Sequence, residues 1–267
     1  MPDTKQLRNR IRSVNSTLHL THAMELVAAS KIKKATERME GSNEYAKAAG
    51  EAMDVLAACP ACEKSPYLRK DAGGETRLLV IAGDRGMAGG YNANIYRLAR
   101  EYPGAVFIPV GKRAYDHFGG GAFYGAEAFT VEDARTIARG LCEDFLRGAF
   151  ARFGILYTRY VSMMQQDASV RWVLPLESAE NARGQDIVFE PDEGAVMSAA
   201  VPEYVTGMIM ASVRESFASE VAARRMAMDS AGKNARQMIE DLQLKYNRAR
   251  QGAITQEITE IVAGSGT

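Results

Sequence analysis

The stretch Leu7–Met39, LRNRIRSVNSTLHLTHAMELVAASKIKKATERM, decides the fold. Leu7, Ile11, Val14, Leu18, Thr21, Glu25, Ala28, Ile32, Ala35 and Met39 follow one another in alternating steps of four and three. A stripe repeating about every 3.5 residues keeps one helix facing another along its length, so the pattern predicts a coiled-coil helix. Thr21 and Glu25 are polar and weaken the stripe locally. No proline interrupts the chain from Asp3 to Cys59, and the helix is expected over 1–59.

A second proline-free segment, 203–267, starts at Glu203 and carries Met228, Ala231, Ala235, Met238 and Leu242 in the same rhythm. Tyr246, Ala249 and Ala253 resume it one residue late, which predicts a local shift of the seam. Ile254, Ile258 and Ile261 mark a neighbouring face. Gly207, Gly232 and Gly252 each lower helix propensity by roughly 1 kcal/mol relative to alanine. Small seam residues (Ala28, Ala35, Ala231, Ala235) permit a close approach of two helices. At 1.5 Å per residue, a helix of about 55–60 residues is on the order of 85 Å long, so most of the pair is expected to stand clear of a compact body.

The composition between these segments is different. Thr76–Ala82 (TRLLVIA) reads as a buried strand, followed by the glycine-rich turn Gly83–Gly90 and a helix over Asn92–Glu101. Ala105–Val110 is a second strand and Gly111–Phe118 a short helix. Val131–Phe153 has helical spacing, and Ile155–Ser162 and Val170–Leu176 read as strands. Strands alternating with helices predict an α/β domain over 75–195 with a partly parallel, Rossmann-like sheet.

Little enzymatic chemistry is legible. The turn lacks the GK[ST] ending of a P-loop and has no GxGxxG in register. It is read as a tight strand-to-helix connection, with Asp84 and Arg85 pairing or facing a partner. There is no GxSxG and no HExxH, and His19 and His22 lack the further ligands a metal needs. Catalytic, cofactor-binding and metal-ligating residues are therefore not expected. Cys59 and Cys62 form a CxxC at the end of the first helix, and the third cysteine is Cys142. The pair trails a helix, whereas a redox dithiol sits where a helix begins, so two unreactive thiols are the simpler reading. The 33 basic and 33 acidic residues cancel, so no whole-protein field gathers nucleic acid and no nucleic-acid partner is expected. No apolar run approaches the roughly 18–20 residues that span a bilayer. The start MPDTKQLRNRIRS has no apolar core of a secretory signal, and a soluble intracellular chain is expected. Lys5, Arg8, Arg10 and Arg12 begin the first helix, while Arg224, Arg225, Arg236, Lys245, Arg248 and Arg250 stud the last, a basic surface suited to an acidic partner.

Three collinear motifs carry a resemblance. Leu20–Lys31 (LTHAMELVAASK), Gly83–Asn92 (GDRGMAGGYN) and Tyr246–Val262 (YNRARQGAITQEITEIV) resemble the gamma subunits of F-type ATP synthases. That family implies an antiparallel coiled coil of the terminal helices beside a central α/β domain. It implies a non-catalytic rotor, the central stalk, that couples proton or sodium flow to ATP synthesis and hydrolysis on the β subunits. The implied partners are the α and β subunits, the epsilon subunit and the c-subunit ring, with membrane association only through the complex. On the matching positions, Arg250 and Gln251 are expected to contact an acidic loop of one β subunit. Thr255, Glu257 and Thr259 share that motif, and Met24 and Arg224 face the β-subunit lever. Phe189, Glu190 and Asp192 resemble, more weakly, the foot that meets the ring and epsilon. Ala88 stands where many members have cysteine. The two-cysteine insertion of the plastid form has no counterpart, so thiol control is not implied. A bacterial origin and a peripheral place on the cytoplasmic face of the inner membrane are expected. A nucleotide-binding enzyme and an unrelated coiled-coil adaptor are the competing readings.

Overall fold

The computed structural model describes residues 2–69, 74–177 and 189–264, apart from the side chains of Pro2 and Asp3. Residues 178–188 of the expected α/β domain lie outside it. Its elements are α1 (Pro2–Ala58), β1 (Thr76–Ile81), α2 (Tyr91–Ala99), β2 (Val106–Val110), α3 (Lys112–Phe118), α4 (Val131–Leu146), β3 (Arg152–Tyr160), β4 (Gln166–Leu174) and α5 (Glu193–Gly264). Two compact units emerge, one built from residues 31–223 and the other from 1–30 with 224–267.

In the larger unit the strand order is β2-β1-β3-β4. β1 is parallel to both β2 and β3, and β4 closes antiparallel onto β3. The alternation of the strands sorts side chains onto two faces. Leu78, Val80 and Leu156 meet Ile95 and Ala99 of α2, with Trp172 beside them. Leu79, Ile81, Phe153 and Ile155 join the main core, with α4 residues Ala134, Ala138 and Leu141 and α5 residues Met197, Val201, Val205 and Ile209. α1 and α5 run antiparallel here. Ser42 bonds Arg214, Gly207 lies against Tyr45, and Ala35 and Met39 pack with Ala218.

The α1 stripe is less exposed than its flanks from Leu7 to Met39, and continues through Ser42, Ala46, Ala49, Met53 and Leu56. On α5 the expected register is corrected. Met238 is 45% exposed while Ile239 is 9% exposed, and Gly232 is buried. The buried series is Met228, Gly232, Ala235, Ile239 and Leu242, then the half-buried Tyr246, Ala249 and Ala253, so the rhythm is unbroken and no shift occurs. Gly232 brings α5 close to Leu18 and Thr21 within the smaller unit.

Three further expectations change. α5 starts at Glu193 rather than Glu203 and contains Pro202. An interior proline costs about 3 kcal/mol, here offset by complete or near-complete burial of Met197, Val201, Val205 and Ile209. α4 stops at Leu146, short of Phe153, because Gly148 takes φ 73°. Its N–H donates to the Phe145 carbonyl and that of Ala149 to Asp144, a Schellman closure. Finally, α5 does hold an 18-residue window of mean hydropathy 1.3, and 61% of that window is buried within the protein, as in a soluble core helix.

Two glycines with similar φ separate conformational strain from lack of space. Gly104 (φ 89°) has nothing near an added Cβ, whereas at Gly111 (φ 93°) a Cβ overlaps the Ala82 carbonyl. Gly104→Ala should cost about 1–2 kcal/mol in denaturant unfolding, and Gly111→Ala at least twice as much.

Candidate functional site

The polar groups at the ends of the parallel strands serve to hold the loops together. Asp84, in the glycine-rich turn, holds that turn to the next loops. Its carboxylate accepts from the backbone N–H groups of Lys112 at 3.0 Å, Ala126 at 3.0 Å and Glu127 at 2.9 Å. At the start of α3 the Lys112 N–H is thus taken by the protein's own carboxylate. Asn92 accepts from Gly83 N–H at 2.9 Å, and Arg113 N–H donates back to the Gly83 carbonyl at 3.0 Å. Arg85 does not pair with Asp84. It is exposed and lies 4.0 Å from Glu127, which also pairs with Lys31.

The polar chemistry of the larger unit is concentrated where α5 crosses β3. β1 pairs with β3 only as far as Val80↔Leu156, so the last part of that edge of β3 has no neighbouring strand. Side chains of α5 take the strand's place. Thr158 N–H donates to Ser216 Oγ at 3.0 Å, Ser219 Oγ donates to the Thr158 carbonyl at 3.1 Å, and Tyr160 N–H donates to Glu215 at 3.2 Å. Arg171 of β4 completes the clasp, reaching Ser212 Oγ at 3.1 Å, Tyr157 Oη at 3.0 Å and Glu215 at 3.4 Å. Ser212, Ser216 and Ser219 have no exposure at all, and Glu215 is 5% exposed. Burial raises the Glu215 carboxyl above its ordinary 4.5, against the opposing pull of Arg171 and the Tyr160 N–H. Thr158 Oγ1 is the one buried side-chain oxygen left without a partner among the described residues. Sequence reasoning missed this clasp, because serines and a glutamate at helical spacing look like a solvated face.

The residues expected at partner contacts occupy different settings. Arg250, Gln251, Thr255, Glu257 and Thr259 are all exposed on the last turns of α5. The Thr255 and Thr259 hydroxyls donate back to the carbonyls of Gln251 and Thr255. Met24 and Arg224 are half-buried in the smaller unit. At the expected foot, Phe189 packs on the main core and Asp192 caps α5 by accepting from Ala195 N–H at 2.8 Å, while Glu190 is exposed. His22 lies 3.7 Å from Glu25, and among the described residues no cluster of metal-ligating side chains forms. Cys59, Cys62 and Cys142 are buried and free. Burial, then the neighbouring Cys59, pushes the Cys62 thiol up, and burial lifts Cys142 to about 12, both away from the reactive thiolate.

The described residues form a helical subunit class in which two long terminal helices accompany an α/β domain clasped to one of them. Comparison with known proteins narrows it. The ATP synthase family model matches residues 3–267. The chain is 39% identical to the ATP synthase gamma chain of Ruminococcus albus, over 99% of this chain and 98% of that one. It is 34% identical to the sodium-ion-specific gamma chain of Acetobacterium woodii, over 98% of each. Among solved structures it matches the rotor of the Euglena gracilis mitochondrial ATP synthase, with TM-score 0.67, 18% identity and coverage of 94% and 98%. It also matches the central stalk and c-ring structure from Tetrahymena thermophila, with TM-score 0.65, 21% identity and coverage of 79% and 99%. The chain belongs to the ATP synthase gamma-chain family, a non-catalytic subunit of a membrane-associated complex.

The clasp generates opposite outcomes at adjacent atoms. Ser216→Ala strands the Thr158 N–H and should cost about 1–3 kcal/mol, while Thr158→Val removes a stranded hydroxyl and should gain about 1 kcal/mol; urea unfolding measures both. The raised Glu215 value means the folded state holds that proton more tightly than the unfolded chain. Stability from this group is therefore full below pH 4.5 and is lost as pH rises through the folded value. Glu215→Gln should flatten that part of the stability–pH curve.

Proposed function

We propose that this chain is the central-stalk rotor of an F-type ATP synthase, coupling ion flow through a membrane ring to ATP synthesis and hydrolysis on the β subunits. The observation that carries the reading is the full-length likeness to gamma chains, joined to an unbroken buried seam along α1 and α5. A rotor has to be stiff in torsion and free of deep energy minima against its surroundings. Two paired helices of 57 and 72 residues provide the stiffness. Exposed charged contacts, each contributing about 0–1 kcal/mol, can form and break as the shaft turns.

In this reading the segments 1–59 and 203–267 form the shaft and 75–195 the domain beside it. Arg250 and Gln251 act as a catch against an acidic loop of one β subunit, with Thr255, Glu257 and Thr259 alongside. Met24 and Arg224 meet the β-subunit lever. Glu190 supplies the exposed foot contact to epsilon and the c-ring, with Phe189 and Asp192 holding its backbone. The coupling ion is chosen in the ring, so protons and sodium are both compatible with this chain. The subunit works on the cytoplasmic face of a bacterial inner membrane.

Mixing the chain with the α and β subunits of its organism should give a complex with one copy per hexamer and ATP hydrolysis that depends on it. Failure to assemble, with nucleotide bound by the chain alone, sinks the reading. Arg250→Ala combined with Gln251→Ala should lower coupled ATP synthesis several-fold with assembly intact; unchanged synthesis removes the catch assignment.

A further inference from the structure

A cleft of about 380 Å³ opens beside Cys62 and Asp192, and a second of about 370 Å³ lies among α1, α4 and α5. The second has one feature the first lacks, a half-buried guanidinium with no carboxylate in ion-pair range among the described residues. Arg214 donates to Ser42 Oγ at 2.5 Å and makes no other hydrogen bond or ion pair there. A guanidinium has five N–H donors, and a half-buried one is costly to leave without a counter-charge.

Several other polar groups of the cleft are already engaged. Ser42 also donates to the Arg38 carbonyl, and Thr206 donates to Pro202. Arg135 bonds Glu203 and Glu132 at 3.3 and 3.1 Å. Apart from the exposed Tyr45 hydroxyl, the donors left open in the cleft are chiefly those of Arg214. Tyr45, Val131 and Met210 give part of the lining an apolar surface. Tyr45 is 54% exposed and lies on α5 at Gly207, where any Cβ would collide with its ring. Val131 is 44% exposed, Met210 lies deeper, and Gly41 leaves open space above the slot.

We infer that this cleft, formed by Arg214, Ser42, Tyr45, Val131 and Met210, is a docking slot for an acidic side chain flanked by an apolar one on another subunit. The carboxylate takes the free N–H groups of Arg214 as a charge-assisted pair, and the apolar neighbour covers Tyr45 and Val131. This is the arrangement of an interface anchor, a desolvated charge contact enclosed by apolar surface. The inference rests on the chain acting within an assembled ATP synthase.

The test places a benzoylphenylalanine photo-crosslinker at Val131 of the full chain in the assembled complex and identifies the linked peptide by mass spectrometry. A peptide of another subunit with an aspartate or glutamate within one turn of the link is expected. Arg214→Gln should lower the yield on the order of tenfold, and Arg214→Lys should restore most of it. Exchanging the partner's acid for arginine should rescue Arg214→Glu. Equal thermal unfolding of the Lys and Gln chains shows that the fold is retained. Links only within the chain, to phospholipid or to a peptide without an acid, or a yield indifferent to Arg214, overturn the slot. A complex that hydrolyses ATP normally yet gives no link overturns the slot alone; a chain that enters no complex overturns the subunit reading as well.

Discussion

The unpaired edge of β3 is the constraint around which the larger unit is organised. Buried backbone N–H and C=O groups need partners, and β1 runs out at Ile81 while β3 continues to Tyr160. Ser216, Ser219 and Glu215 supply the missing donors and acceptors. That solution ties a sheet to a helix through directional bonds at defined residues, whereas apolar packing alone tolerates sliding. It also dictates sequence on α5, because the residues that satisfy the strand are unable to serve as seam. Serines of no exposure on a helix make sense only with the strand in view.

The same helix changes character along its length. From Val205 to Ala222 it is a core element, with apolar and clasping residues buried on most sides. From Met228 onward it is a seam helix with one buried row. An arrangement with two environments explains why its overall amphipathicity is slight and why no single periodicity describes it. One continuous helix contributes to both units, and Pro202 lies just before its most densely buried stretch, which begins at Val205.

Much of the fold was legible because α1 keeps one period along its length. Its stripe from Leu7 to Met39 lies where the sequence puts it, and the strands were located to within a few residues. The register of α5 was harder. Met238 and Ile239 are adjacent and both apolar, so a seam can be drawn through either; only the facing helix decides, and it selects Ile239. The end of α4 was missed because helical spacing carries on past Gly148 into the first residues of β3. At the site level, the exposed residues of the terminal motif were recognisable as a surface from their family likeness, not from any physical signal in their spacing. The clasp and the Arg214 cleft were invisible, since both depend on which side chains of distant segments meet.

The last turns of α5 have a consequence for a free copy of this chain. Ile254, Ile258, Ile261 and Val262 are 47%, 56%, 70% and 65% exposed. An exposed apolar row of this kind marks an interaction surface or an aggregation liability. An uncovered row of this kind is an association liability, so a copy of the chain with nothing laid over its last turns exposes a surface that other apolar surfaces will seek.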